Sequence, residues 1–287
     1  MNFGNVVTAM VTPFKDNGMV DYLQTKILIE HLIHNGSDGI VVAGTTGESP
    51  TLSAEEKIEL FTFAVKQVDG RIPIIAGTGS NNTAASIALT KEVEKLGVDA
   101  IMLVVPYYNR PSQAGMIAHF EAIATSTSLP IMLYNIPGRS SAQLDVETVV
   151  QLSQIPNIVS LKDASANLIY MSYVRAQTSE GFSLYCGDDG LTLPSLSVGA
   201  TGVVSVASHI IGPEMQEMVR AFKDGDMMKA ENLHHTLLPV MEAMFAVPSP
   251  APVKAALEMK DLPVGSVRLP LLPLTSEERA TLSSVIR

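Results

Sequence analysis

Apolar runs of four to six residues recur along this chain at 6–11, 39–43, 72–76, 100–105, 130–134, 158–161, 182–185 and 202–206. Most are continuous rather than alternating, which suits strands of a parallel sheet covered on both faces. The segments between them carry helical spacing, so the pattern predicts a β/α unit repeated eight times. Helix starts are expected at Asp21 with Gln24 and at Ser53 with Glu56, because side chains at this spacing satisfy the free N–H groups of a first turn. Ala85, Leu89, Val93 and Leu96 fall on one predicted helical stripe, and Gly97 follows where a left-handed cap is wanted.

The turn back into the sheet repeats as well. Gly36-Ser37-Asp38-Gly39-Ile40, Gly97-Val98-Asp99-Ala100-Ile101 and Gly199-Ala200-Thr201-Gly202-Val203 each set a glycine and a small residue ahead of a strand. Eight such units close a (β/α)8 barrel of the TIM type. An open doubly wound sheet is the alternative, but it normally has fewer parallel strands and a glycine-rich phosphate turn. Gly77-Thr78-Gly79 lacks the third glycine of such a turn, so a tight loop is expected there. Beyond the eighth strand, helices are predicted at 213–222, 227–245, 251–259 and 276–286, with Pro248, Pro250, Pro252, Pro270 and Pro273 as breaks. The expected organisation is a barrel over 1–224 and a C-terminal helical appendage over 225–287, packed as one unit.

Composition narrows the function. With 287 residues, 46% of them hydrophobic and 17% charged, the chain can bury a large core. A formal charge of -10 opposes binding to nucleic acid or to an anionic membrane and favours a small-molecule substrate. The single cysteine, Cys186, excludes an internal disulfide and a cysteine-built zinc site, and a reducing cytoplasm is the expected location. Met1-Asn2-Phe3-Gly4-Asn5 lacks a basic segment followed by an apolar run, and no stretch approaches the ~20 apolar residues of a membrane span. His34, His119 and His209 are isolated and His234-His235 lie in the appendage, so neither a catalytic metal nor another cofactor is expected.

In a barrel the active face is made by the loops that follow the strands. Those positions hold Gly44-Thr45-Thr46-Gly47-Glu48-Ser49, Pro106-Tyr107-Tyr108-Asn109-Arg110-Pro111, Tyr134-Asn135-Ile136-Pro137-Gly138-Arg139 and, after Ile158-Val159-Ser160-Leu161, Lys162. Taken singly, these residues have ordinary alternatives: a surface lysine, loop hydroxyls, packing aromatics, a solvated arginine. Together they fit one chemistry. A Schiff base needs a lysine amine freed by burial, a proton shuttle for loss of water, and hydroxyls to hold a keto-acid carboxylate. Lys162, Tyr134 and the Thr45-Thr46 pair supply these, and Arg139 adds a planar donor fork for a second carboxylate.

Along essentially its whole length the sequence resembles the 4-hydroxy-tetrahydrodipicolinate (dihydrodipicolinate) synthase family. The resemblance rests on Thr12-Pro13-Phe14, Gly44-Thr45-Thr46-Gly47-Glu48, Tyr107-Tyr108, Tyr134-Asn135-Ile136-Pro137-Gly138-Arg139, Lys162-Asp163 and Gly187-Asp188-Asp189. The threonine loop and the lysine are shared with the wider group of pyruvate-dependent lyases, while Gly138-Arg139 is the narrower sign. Two departures stand out: Asp163 and Ala166 replace the family's glutamate and glycine, and Ser140-Ser141 replaces a threonine-containing pair.

The resemblance implies condensation of pyruvate with L-aspartate 4-semialdehyde on the path to diaminopimelate and lysine. Lys162 would form the Schiff base and Tyr134 relay protons. Thr46 would link Tyr134 to Tyr108 contributed by a neighbouring subunit, and Arg139 would bind the semialdehyde carboxylate. Backbone at Thr45, Thr46, Gly187 and Val204 would line the pocket, in a homotetramer built as a dimer of dimers. A retro-aldol lyase of keto sugar acids stays open and is separated by Arg139. A barrel that kept its fold without catalysis is opposed by the joint retention of Lys162, Tyr134 and Thr46.

In feedback-inhibited relatives lysine occupies the positions that here are Ser49, Pro50, Ala54, Lys57, Asn81, Ala85 and Tyr107. Ala85 stands where such relatives place a glutamate, and Lys57 adds a like charge. An ammonium removed from water without a carboxylate partner is costly, so this site is expected not to respond to lysine.

Overall fold

All eight apolar runs are strands, and they close on themselves. β1 (Val6–Ala9), β2 (Gly39–Val42), β3 (Ile74–Gly77), β4 (Ala100–Val104), β5 (Ile131–Asn135), β6 (Ile158–Asp163), β7 (Ser183–Cys186) and β8 (Gly202–Ser205) pair in chain order, and β8 returns to β1. Every pairing is parallel. The computed structural model describes residues 1–286.

Strand period two sorts the apolar residues into two layers. Val7, Val41, Ile75, Met102, Met132 and Tyr134 fill the barrel interior. Val6, Ile40, Val42, Ile101, Leu103 and Leu133 face the surrounding helices. Both layers are buried, which is why the strands lack a polar alternation. Phe3 and Tyr185 close the lower end of the barrel, where the Tyr185 hydroxyl accepts the Phe3 N–H at 2.7 Å.

β6 differs from expectation in a way that matters. It runs two residues past Leu161, so Lys162 is part of the strand and is paired with Tyr134 on one side and Tyr185 on the other. Both tyrosines belong to the interior cluster, and the shared register points Lys162 the same way.

The helix caps follow the sequence. The Asp21 carboxylate accepts the N–H groups of Leu23 and Gln24 at the head of Tyr22–His34. Ser53 and Glu56 form a reciprocal box on Ala54–Val68. The repeated glycine turn is also real: Gly36, Gly97 and Gly199 have φ of +81°, +84° and +95°, a conformation that side-chain-bearing residues resist.

Two helices depart from their predicted form. Beside Thr83–Glu94 the predicted stripe holds at Leu89, Val93 and Leu96, which pack on the core, but Ala85 is exposed and Ser86 and Thr90 are buried instead. The Thr90 hydroxyl donates to Thr78 Oγ1 at 2.9 Å and Ser86 Oγ accepts the Ser80 N–H at 2.9 Å, so hydroxyls join the apolar contacts where this helix meets the end of β3. The helix after β8 starts at Ser208 instead of 213 and breaks at Ile211. Pro213, which lacks an N–H and crowds the preceding turn, accounts for the break.

Helices Met227–Ala243, Ala251–Met259 and Ser276–Val285 complete the chain. Ala251–Met259 is buried from Ala251 through Leu257, and Lys254 is buried with it. Among the described residues no helix is long and apolar enough to cross a membrane.

Candidate active site

The upper end of the barrel opens into a cavity of about 280 Å³. Its walls include Thr45 from the β2 loop, Tyr107 from the β4 loop, Tyr134 and Arg139 from β5 and its loop, and Lys57 from helix Ala54–Val68. No acidic side chain lines it, whereas Lys57 and Arg139 both do. Neither cation forms an ion pair among the described residues. The cavity is therefore electrostatically suited to small carboxylates, in a chain whose net charge would otherwise repel them.

Lys162 is 4% exposed, and its ammonium lies 4.2 Å from the centre of the Tyr134 ring. Burial pushes its pKa down from 10.5 to about 8, and Asp189 and Cys186 oppose the fall. Gly187 makes room for it: a Cβ there would stand 3.0 Å from Lys162 Cε and 2.9 Å from Ala164 Cβ. The backbone N–H of Gly187 also donates to Asp163 O at 2.6 Å, which ties the β7 loop to β6. Val204 is buried in the same interior layer.

Tyr134 is buried, and burial pushes its phenol up to about 12, with interactions from Thr45 and Arg139 opposing the rise. A phenol so perturbed keeps its proton at neutral pH and can donate it. The two threonines of the loop are placed differently. Thr45 lines the cavity and interacts with Tyr134, while Thr46 is buried and stands outside the cavity wall. Adjacent loop residues point in different directions, and the sequence alone could not choose between them.

Other expected residues are divided by the fold. Ser49, Pro50, Lys57 and Tyr107 line the same cavity as Thr45, Tyr134 and Arg139, and Asn81 joins them through a bond from its Nδ2 to Tyr107 O at 3.1 Å. Ala54 and Ala85 are exposed. Tyr108 is 90% exposed with φ +71° and is absent from the cavity wall of its own chain.

Sequence reasoning missed three buried ionic features. Asp163 is held by Asn135 Nδ2 at 2.8 Å and Ser165 Oγ at 2.7 Å, and burial raises its pKa. Asp189, 1% exposed, accepts the N–H groups of Val206 and Ala207 at 3.0 and 2.8 Å. Glu48 meets Lys254 of the C-terminal region at 2.7 Å, both side chains being almost fully buried. A lysine inside Ala-Pro-Val-Lys-Ala-Ala-Leu was the available signal, since such a run has no solvated face for it. No three His, Cys, Asp or Glu side chains among the described residues are placed to hold a metal ion.

A parallel (β/α)8 barrel with a buried lysine beside a buried tyrosine, and a cavity walled by cations at one end, belongs to the class of barrel enzymes that take small acidic substrates. The comparisons narrow this. The model of the dihydrodipicolinate synthetase family matches residues 2–287, and the chain belongs to that family. A relative from Oceanobacillus iheyensis named 4-hydroxy-tetrahydrodipicolinate synthase is 60% identical over 286 residues, covering 100% of this chain and 97% of the relative. The crystal structure of dihydrodipicolinate synthase from Bacillus anthracis superposes with a TM-score of 0.98 at 59% identity, covering 100% of this chain and 98% of that one. The enzyme from Cyanidioschyzon merolae, solved with lysine bound, superposes with a TM-score of 0.97 at 50% identity, covering 99% and 97%.

Proposed function

We propose that the chain catalyses condensation of pyruvate with L-aspartate 4-semialdehyde to 4-hydroxy-tetrahydrodipicolinate, in lysine and diaminopimelate biosynthesis, through an imine on Lys162. The observation that carries the mechanism is the buried lysine amine beside Tyr134, beneath a cavity with two cations and no carboxylate. The Lys162 amine adds to the pyruvate keto carbon, and the carbinolamine loses water to give the iminium. Loss of a methyl proton then yields an enamine, whose terminal carbon bonds to the aldehyde carbon while the aldehyde oxygen takes up a proton. Finally the amino group of the semialdehyde attacks the imine carbon, closes the ring and releases Lys162.

Within this scheme Tyr134 carries protons and Thr45 takes the linking position that the sequence suggested for Thr46. Thr46, with the backbone of Gly187 and Val204, is assigned to the pyruvate end, and Arg139 to the semialdehyde carboxylate. The assay of product from both substrates tests the whole reading. Arg139→Ala should weaken use of the semialdehyde roughly 10- to 150-fold, the equivalent of about 1.5–3 kcal/mol for a charged hydrogen bond, with imine formation nearly unchanged. Equal loss in both half-reactions would assign Arg139 a structural role.

We further read the enzyme as a cytoplasmic homo-oligomer, a dimer of dimers. Two features support association: Tyr108 is exposed and held at positive φ, and Ile169 and Tyr173, 70% and 57% exposed, lie four apart on helix Leu168–Gln177. If Tyr108 acts in the neighbour's site, mixing Lys162→Ala with Tyr108→Phe subunits restores part of the activity. No recovery in verified mixed dimers would remove Tyr108 from the mechanism.

Lysine is assigned no regulatory role here. Ala85 offers no carboxylate, and Lys57, half-buried and unpaired, faces the cavity an effector would share. Loss of a charged hydrogen bond (~1.5–3 kcal/mol) plus like-charge repulsion of about 1 kcal/mol weakens binding roughly a hundredfold or more. Steady-state inhibition by sub-millimolar L-lysine would overturn this assignment.

A further inference from the structure

Glu48 closes the loop that presents Thr45 to Tyr134. Its N–H donates to Thr45 O at 3.1 Å, and the preceding carbonyl, Gly47 O, accepts the Thr12 hydroxyl at 2.6 Å. The residue holds φ 56° and ψ 37°, a left-handed conformation that a glutamate keeps only where its surroundings impose it. What imposes it comes from the far end of the chain.

The Glu48 side chain is 1% exposed. Its Oε1 lies 2.7 Å from Lys254 Nζ, and its Oε2 accepts the backbone N–H of Arg268 at 2.9 Å. Lys254 donates to Ser266 O at 2.8 Å, and its ammonium and the Arg268 guanidinium each stand 4.3 Å from the centre of the Phe14 ring. Arg268 also donates to Thr51 O at 2.7 Å, just beyond the loop. The C-terminal segment thus grips the loop through its one buried carboxylate. Burial already pushes Lys254 down to about 8, and Glu48 is the group that opposes the fall.

We propose that Glu48 and Lys254 are positioning residues for the reaction: the C-terminal helices fix the Thr45–Glu48 turn through this pair, and with it the hydroxyl that faces Tyr134. The proposal rests on the roles assigned above to Lys162, Tyr134 and Thr45. Two charges removed from water tolerate each other's presence far better than either tolerates solitude. Removing one leaves the other to move, neutralise or draw in water, and movement of Glu48 passes directly into the turn that its N–H closes.

The test compares Lys254→Met, Glu48→Gln and the double variant in the full chain, with rates expressed per folded molecule by circular dichroism. Each single variant should lose about 10- to 100-fold in kcat, the scale of a small misplacement in an active site. The pyruvate KM should rise by less than kcat falls, because Thr46 rides on the same turn, and the yield of imine trapped by borohydride at saturating pyruvate should stay near that of the parent. The double variant should regain part of kcat, because no lone buried charge remains. Unchanged kcat in both singles overturns the proposal, since the pair would then serve the fold alone. Parallel loss of trapping overturns it too, because the damage would have reached Lys162. Losses that simply add in the double show that the residues act independently, which also refutes it. Should Lys254→Met not fold, Glu48→Gln, which keeps the volume and one acceptor oxygen for the Arg268 N–H, gives the same reading. Failure of the parent itself to trap pyruvate would instead sink the imine mechanism.

Discussion

Lys162→Ala is expected to show no condensation above background and no borohydride-stable pyruvate adduct, a loss on the order of 10⁴-fold or more, as when a covalent nucleophile is removed. In the parent, mass spectrometry should place the reduced adduct on Lys162, and an adduct on any other lysine in active enzyme would refute the mechanism. The pH dependence carries an independent check. Burial lowers the Lys162 pKa from 10.5 to about 8, so at pH 7 the reactive free amine is roughly 300 times more abundant than in an exposed lysine. Because the folded value lies below the ordinary one, the reactive form grows as pH rises through about 8 and is complete above it. The rate of imine formation should therefore climb to about pH 8 and then level off. A rate still rising tenfold per unit between pH 9 and 10 would mean that Lys162 behaves as a solvated lysine.

Tyr134→Phe should lower kcat about 10²- to 10⁴-fold, the usual worth of a positioned proton donor. The phenyl ring remains beside the Lys162 amine, so the packing that desolvates the lysine survives and the adduct should still be trapped, more slowly. Thr45→Val is expected to resemble Tyr134→Phe, since Thr45 is the threonine that interacts with the phenol. Thr46→Val should instead act mainly on the pyruvate KM. If Thr46→Val lowered kcat more than Thr45→Val, the link would belong to Thr46 and the assignment made here would fall.

The barrel was legible because its strands are buried on both faces and therefore leave continuous apolar runs, interrupted by glycines at turns that need positive φ. Helices with water on one side were legible through their caps and stripes. The exceptions have local causes: Thr83–Glu94 buries Ser86 and Thr90 against hydroxyls beside its apolar Val93, and the helix after β8 is broken ahead of Pro213. The Tyr108 loop was legible only as a pair of aromatics, because nothing local says that a tyrosine will stand 90% exposed.

Residue types and their order along the chain determined the barrel, the position of Lys162 near the end of its sixth strand, and the candidate set Thr45, Thr46, Tyr134 and Arg139. These follow from short-range rules: burial periodicity, capping, and the chemistry each side chain can perform. Tertiary structure alone decided that Lys162 and Tyr134 face the same interior, through a pairing register in which a slip of β6 by one residue would turn Lys162 away from Tyr134. It also decided that Thr45 rather than Thr46 reaches the cavity, and that Glu48 meets Lys254 across more than two hundred residues of chain. Burial and the electric field at a site are sums over neighbours brought from distant strands and helices, so pKa values and buried ion pairs come into being only when the chain has closed.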